Sequence, residues 1–286
     1  MTNLEAVALA IVEGLTEFLP VSSTGHMIVA QGLLHIKESS FVKVYLVNIQ
    51  FGAIMAVLAL YYRRFFQGLD FYKKLFVAFL PAAILGFALN KVIDQLLESV
   101  TTVAISLIVG GIVLVLTDKI FHAQIVETPD PEIEVEPDSD NIDATSKIVV
   151  TPLPLTFLQS LIIGFCQTIA MIPGVSRSAA TIIGGLTQKL TMRQAAEFSF
   201  FLAVPTITAA AMYKTYKDFD HIKGTDLGQL ALGNIVAFLV ALIAIRYFVN
   251  FISQHGMKLF GYYRILVGVL ILVALYVFHL PLEIIK

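Results

Sequence analysis

The chain has 286 residues, 57% of them hydrophobic and 14% charged, with mean hydropathy +0.83 and a formal net charge of −2. No soluble core needs that much apolar surface, so the composition excludes an ordinary water-soluble domain and points to a polytopic membrane protein. No strongly basic balance calls for a nucleic-acid partner, and none is expected.

In chain order, the first apolar stretch, residues 4–34, is broken in its middle by EGLTEFLPVSSTGH, Glu13 to His26. Apolar runs of about 20 residues, the length that crosses hydrocarbon as a helix, follow at 41–62, 74–93 and 100–117. A connector at 127–143 then carries eight acids, three prolines and no Lys or Arg. It cannot bury enough apolar surface to fold alone and is predicted to be a disordered cytoplasmic linker. Setting those acids aside leaves 19 basic residues against 13 acidic ones, a balance suited to an anionic ligand or to anionic lipids. The apolar pattern resumes at 153–190, broken by GFCQTIAMIPGVSRSAAT, Gly164 to Thr181, and ends with runs at 195–213, 228–252 and 259–280.

Nothing alternates like a barrel strand, and in lipid every backbone group must be satisfied within its own segment, so the spans are predicted to be helices. The two broken stretches are read as re-entrant helical hairpins whose tips meet inside the bilayer. A hairpin and three spans, occurring twice, make halves with an odd number of crossings, so the second half enters from the opposite face. The predicted fold is an all-α polytopic membrane protein, an inverted-topology repeat of six transmembrane helices and two re-entrant hairpins. Its parts are a first repeat at 1–120, the acidic linker at 121–150 and a second repeat at 151–286.

Arg63, Arg64, Lys73 and Lys74 fill the loop after the first span, and His255 and Lys258 the one after the fifth, which places both inside. The loop 214–226, with three Lys and three Asp, and both termini then lie outside. Cys166 is the only cysteine, which excludes an intramolecular disulfide and a cysteine metal cluster. The N-terminal segment has no basic n-region, so it is expected to remain as structure.

An ionisable residue in hydrocarbon costs about 2.5–3.5 kcal/mol on insertion scales, which makes each one a candidate for function. Glu13 and Glu17 share a helix face, where two carboxylates repel unless a cation or a shared proton lies between them. Such a pair suits a hard divalent cation, Mg²⁺ or Ca²⁺; two solvated acids near the interface are the alternative. Ser22 and Ser23 follow helix-ending Pro20 and sit at or near a helix N-terminus, either as an anion site or as ordinary caps. His26 lies within one turn of Ser23, where a base could reach the hydroxyl. Pro173-Gly174-Val175-Ser176-Arg177-Ser178 has the same form with a guanidinium added, a set suited to phosphate oxygens, and Thr181 extends the face by one turn. Arg177 also has a bland reading, an ion pair to Glu13 or Glu17 across the repeats. Gly14-x-x-Glu17 aligns with Gly164-x-x-Gln167, and Pro20-x-x-Ser23 with Pro173-x-x-Ser176. Arg264, beside Tyr262 and Tyr263, reads equally as an interfacial anchor. Asn48, Gln50, Glu197 and Ser199 line a cavity or hydrogen-bond between helices.

With both motifs in view, the chain resembles the undecaprenyl-diphosphate phosphatase family of bacteria, also called the bacitracin-resistance family, over nearly its whole length. The resemblance implies removal of the terminal phosphate from a C55 polyprenyl diphosphate at the outer, periplasmic side of the cytoplasmic membrane. It also implies a divalent cation, Mg²⁺ or Ca²⁺, and recycling of the lipid carrier of cell-wall synthesis, with bacitracin resistance as a consequence. Position by position, it implicates Glu13, Glu17, Ser22, Ser23 and His26, and Ser176, Arg177 and Thr181. Gln167 in place of a carboxylate suggests that only the first hairpin supplies metal-binding acids. The expected roles are nucleophile for Ser23, proton transfer for His26, metal binding for Glu13 and Glu17, and charge neutralisation for Arg177. Ser22, Ser176, Ser178 and Thr181 join Arg177 in holding the diphosphate. A metal-activated water attacking directly is the other route. A transporter or flippase of an anionic lipid is the rival function, since inverted repeats with broken helices also serve alternating access. Membrane lipids are expected partners, and a monomer and a homodimer are both open.

Overall fold

The computed structural model describes residues 1–37, 39–66, 68–97, 99–121, 153, 155–217 and 227–279. The acidic connector and most of the loop assigned to the outside lie beyond these residues. Among the described residues all regular structure is helical: α1 (Asn3–Thr16), α2 (Ser23–Leu33), α3 (Ser40–Leu60), a 3₁₀ turn (Tyr62–Phe66), α4 (Leu69–Ala88), α5 (Asn90–Leu97), α6 (Val100–Ile120), α7 (Phe157–Ile169), α8 (Arg177–Thr187), α9 (Met192–Lys217), α10 (Leu227–His255) and α11 (Lys258–Tyr276). Six of them, α3, α4, α6, α9, α10 and α11, are long and apolar enough to cross a membrane.

Five of these start within three residues of the predicted runs. The exception, α4, begins five residues early and ends at Ala88, because Asp70 and Lys74 pair across one turn at 2.6 Å and carry polar residues into the helix. Lys73 and Lys74 thus lie in α4 rather than in the loop assigned to them.

The interrupted stretches become α1–α2 and α7–α8, helices of 11 to 14 residues. At 1.5 Å per residue these are about 16 to 21 Å long, too short for a core of about 30 Å. Each pair packs against itself, and its long arm packs against the other half of the chain, α1 on α10 and α7 on α4. Small residues allow the approach: a Cβ on Gly14 would fall 2.7 Å from the Ala237 carbonyl oxygen.

Contacts at the helix ends orient the pairs. The α1 start lies beside the α10 start, where the Gln229 amide donates to the Met1 carbonyl at 2.8 Å. It also lies near the start of α3, where the Tyr45 hydroxyl donates to the Ala6 carbonyl at 2.6 Å. The α7 start lies at the α4 start, with Lys74 over the Phe157 ring. The α4 start in turn lies by the turn that follows α3, where the Tyr72 hydroxyl donates to the Phe65 carbonyl, so α1 and α7 start at opposite ends of α3.

The two short pairs also share local geometry. Thr2 caps α1 and Thr156 caps α7, each in a reciprocal capping box, with Glu5 and Gln159 respectively. Ser22 precedes α2 at φ 68° and Ser176 precedes α8 at φ 74°, both in the left-handed region that non-glycine residues avoid. The residues past the far helix ends, His35 and Lys189, take the same hand at φ 51° and 66°. The backbone therefore pairs Ser22, not Ser23, with Ser176, one residue off the motif alignment.

The core between the halves is aromatic, with Phe18 edge-on to Phe200 at 5.3 Å and Phe71 edge-on to Phe201 at the same distance. On the flank, α6 and α11 pack through glycines: a Cβ on Gly261 would meet the Gly111 carbonyl oxygen at 2.7 Å. The α11 N-terminus is capped by Asp118 of α6, whose carboxylate accepts from the Met257 and Lys258 N–H groups at 2.6 and 3.1 Å.

Candidate functional site

The turns at the two tips place most of the polar motif residues in one buried cluster. Chain reversal after Glu17 and the positive φ of Ser22 bring Ser23 back onto the glutamate, and its hydroxyl donates to Glu17 Oε2 at 2.6 Å. The other carboxylate oxygen, Oε1, accepts from Arg177 Nη2 at 3.2 Å. Glu17 thus bridges the first residue of α2 and the first residue of α8. Arg177 is held from behind by α9, donating through Nη1 to the Ser199 carbonyl at 2.8 Å, and its guanidinium lies over the Phe18 ring. Ser199 also accepts from Thr181 at 2.7 Å, so Thr181 and Arg177 share one support.

Ser178 ties the tips together directly, donating to the Leu19 carbonyl at 2.8 Å. Ser176 is an ordinary N-cap, accepting from the Ala179 N–H at 3.3 Å, and its hydroxyl lies 3.1 Å from that of Ser178. Ser22 occupies the cap position of α2 without a side-chain cap bond.

Glu13 is fully buried, and neither carboxylate oxygen has a hydrogen-bond partner among the described residues. Its carboxyl lies in the field of Glu17 and of Arg177. Two acids face one arginine here, and one of the acids is unsatisfied. Burying a charge without a partner costs several kcal/mol, so the pocket needs a further positive charge at Glu13 or a proton on it. Two facing carboxylates, an oxygen-only donor set, fit a hard divalent cation that takes one or two carboxylates and completes its shell with water and phosphate oxygens.

His26 does not reach Ser23. Its Nδ1 lies 2.9 Å from the Ser22 carbonyl and its Nε2 2.7 Å from the Tyr263 hydroxyl, and the two rings stack 10° from parallel. The proton of Ser23 therefore points at Glu17.

Arg264 is no interfacial anchor. It has no exposed surface and donates to four backbone carbonyls: Pro20 at 3.1 Å and Val175 at 2.9 Å from Nη1, Gly174 at 2.7 Å and Ser106 at 3.2 Å from Nη2. One guanidinium thus holds both tips and α6. Its signal in the sequence was a lone arginine inside an apolar run; its partners are main-chain carbonyls, which leave no mark in a sequence. Ser199 bonds Arg177 and Thr181, while Glu197 pairs with Arg64 and Arg193 at 3.6 and 3.4 Å. Asn48 accepts from Asn234 between α3 and α10 at 2.6 Å.

Fold and cluster together define an all-helical, multi-pass membrane protein whose acids, serines and arginine converge between two interrupted helices. A family described as "Bacitracin resistance protein BacA" matches residues 6–270. The chain is 48% identical over 280 residues to an undecaprenyl-diphosphatase of Bdellovibrio bacteriovorus, with 98% of each chain covered. It is 47% identical over 288 residues to one of Flavobacterium johnsoniae, covering both chains fully. An Aquifex aeolicus protein of the same name is 41% identical over 269 residues, with 94% of this chain and 96% of that one covered. The chain belongs to the bacitracin resistance protein BacA family.

Proposed function

We propose that this protein is an undecaprenyl-diphosphatase that hydrolyses undecaprenyl diphosphate to undecaprenyl phosphate and inorganic phosphate in the bacterial cytoplasmic membrane, recycling the lipid carrier of cell-wall synthesis and conferring bacitracin resistance. The observation that carries this reading is the Ser23–Glu17–Arg177 chain, which aligns a nucleophile, an acceptor for its proton and a cation for phosphate oxygens inside the membrane-embedded fold. Near full-length identity to proteins bearing that name supports the substrate.

The catalytic residues on this reading are Ser23, Glu17, Arg177 and His26. Ser23 Oγ attacks the terminal phosphorus, the phosphoanhydride P–O bond breaks, and undecaprenyl phosphate leaves with the bridging oxygen. Glu17 takes the Ser23 proton along the bond already formed, and Arg177 offsets charge that builds on the phosphoryl oxygens. Water then attacks the phosphoserine, the Ser23 Oγ–P bond breaks, inorganic phosphate leaves and Glu17 returns its proton to Ser23. His26 handles the proton of that water at Nε2, which its Nδ1–H bond to Ser22 leaves basic, and the proton reaches that nitrogen along the hydrogen bond it already makes to the Tyr263 hydroxyl. Ser22, Ser176, Ser178 and Thr181 line the phosphate position with the N-termini of α2 and α8. Glu13, with Glu17 beside it, would hold Mg²⁺ or Ca²⁺. Bound there, the cation supplies positive charge for the diphosphate in a site whose own acids outnumber its arginine.

We read residues 1–120 and 151–286 as inverted repeats joined by a linker at 121–150, each opening with a re-entrant hairpin. The shared capping boxes, the paired left-handed serines and the opposite ends from which α1 and α7 enter support this. Arg63, Arg64, Lys119 and Lys258 gather where α3 and α6 end and α11 begins, which supports assigning that end to the cytoplasm and the mouth of α1–α2 to the outside.

The test is phosphate release from undecaprenyl diphosphate by the purified protein, with Mg²⁺ or Ca²⁺ and with chelator. The expected result is release that chelator abolishes and a trappable phosphoserine at position 23 under slow turnover. Well-folded protein that releases no phosphate would refute the reading and favour lipid transport.

A further inference from the structure

The Tyr263 hydroxyl is bonded to Nε2, the nitrogen of His26 on which the proposed proton transfer depends. Its position is fixed with unusual firmness, because the next residue, Arg264, is bonded to Pro20, Ser106, Gly174 and Val175. The register of α11 against the first tip therefore sets where the hydroxyl meets the imidazole. The Ser22 carbonyl can only accept, so Nδ1 carries the ring proton and Nε2 accepts from Tyr263 at 2.7 Å. A hydroxyl both donates and accepts: it satisfies Nε2 while the ring is neutral and, by rotating, accepts from Nε2–H once the ring is protonated. Phenylalanine keeps the stacked ring and satisfies neither state.

We infer that Tyr263 is a positioning residue that holds the His26 imidazole in one tautomer and one orientation throughout the proton-transfer cycle. This rests on the proposed role of His26. Because Tyr263 acts through His26 and touches no proposed phosphate ligand, its loss lowers turnover and leaves substrate binding alone.

The test is steady-state phosphate release by Tyr263→Phe, alone and in a His26→Gln background, with Tyr262→Phe as the control from the same helix. The expected result is a kcat about tenfold lower, the effect of one hydrogen bond, with KM within about twofold, no further loss in the His26→Gln background and no change in Tyr262→Phe. In ¹⁵N spectra, the His26 ring nitrogens of the variant move from one pyrrole-type and one pyridine-type signal towards averaged tautomers. Wild-type kcat in Tyr263→Phe, or the same loss in both backgrounds, would overturn the inference while leaving His26 its role. Wild-type turnover in His26→Gln would overturn that role, and the inference with it.

Discussion

Arg264 lies at the point on which the geometry of both tips depends, and replacing it with methionine removes the guanidinium while nearly keeping the length of the side chain. Four buried carbonyls, those of Pro20, Ser106, Gly174 and Val175, then lose donors at 2.7 to 3.2 Å. An orphaned acceptor costs about 1–3 kcal/mol, but the substitution also relieves the cost of burying the charge. A net loss of about 3–5 kcal/mol, several orphaned acceptors less the relief of the buried charge, lowers Tm by about 6–20 °C for a chain of this size. Arg264→Lys recovers part of this, since an ammonium cannot span four carbonyls on three elements. Gly110→Ala approaches the same contact from α6, where a Cβ would run into the Arg264 guanidinium. The assay is thermal unfolding in detergent, paired with phosphate release at a temperature where every variant is folded; turnover falls about a hundredfold as the tips lose alignment. A wild-type Tm for Arg264→Met would refute the clamp.

Three further outcomes follow from the packing and the charges. Asp118→Ala removes the cap of α11 and costs about 0.5–2 kcal/mol, read as a drop in Tm with turnover unchanged at permissive temperature. Gly261→Val pushes a side chain into the Gly111 backbone and costs about 1–3 kcal/mol through overpacking, and thermal melts check this. Glu13→Gln keeps the shape and removes the charge, so the divalent-cation concentration for half-maximal phosphate release rises at least about tenfold; an unchanged cation titration would remove Glu13 from that role.

The spans were legible because length and apolarity alone define them, and α4 slipped only because its first turns carry a charged pair that composition assigns to a loop. The interrupted stretches were legible for the opposite reason: acids, serines and prolines have no cause to sit in hydrocarbon unless buried in protein. Glu17, Ser23 and Arg177 carry that signal themselves. The Ser23 partner was not legible, since helical spacing puts His26 near the hydroxyl while the fold turns its ring to α11. Arg264 and Tyr263 escaped because one binds main-chain carbonyls and the other a ring far away in sequence. The one-residue offset between Ser22 and Ser176 is a backbone property that side-chain matching does not see.

The most direct test of the central claim, that one site is built from both tips, is phosphate release from undecaprenyl diphosphate by Ser23→Ala, Arg177→Ala and the double variant. Groups acting as one unit fail together. The expected result is a loss of about a thousandfold or more in kcat/KM for each single variant, with the double variant no slower than the weaker single. Wild-type release by Ser23→Ala, or losses that multiply in the double variant, would contradict it.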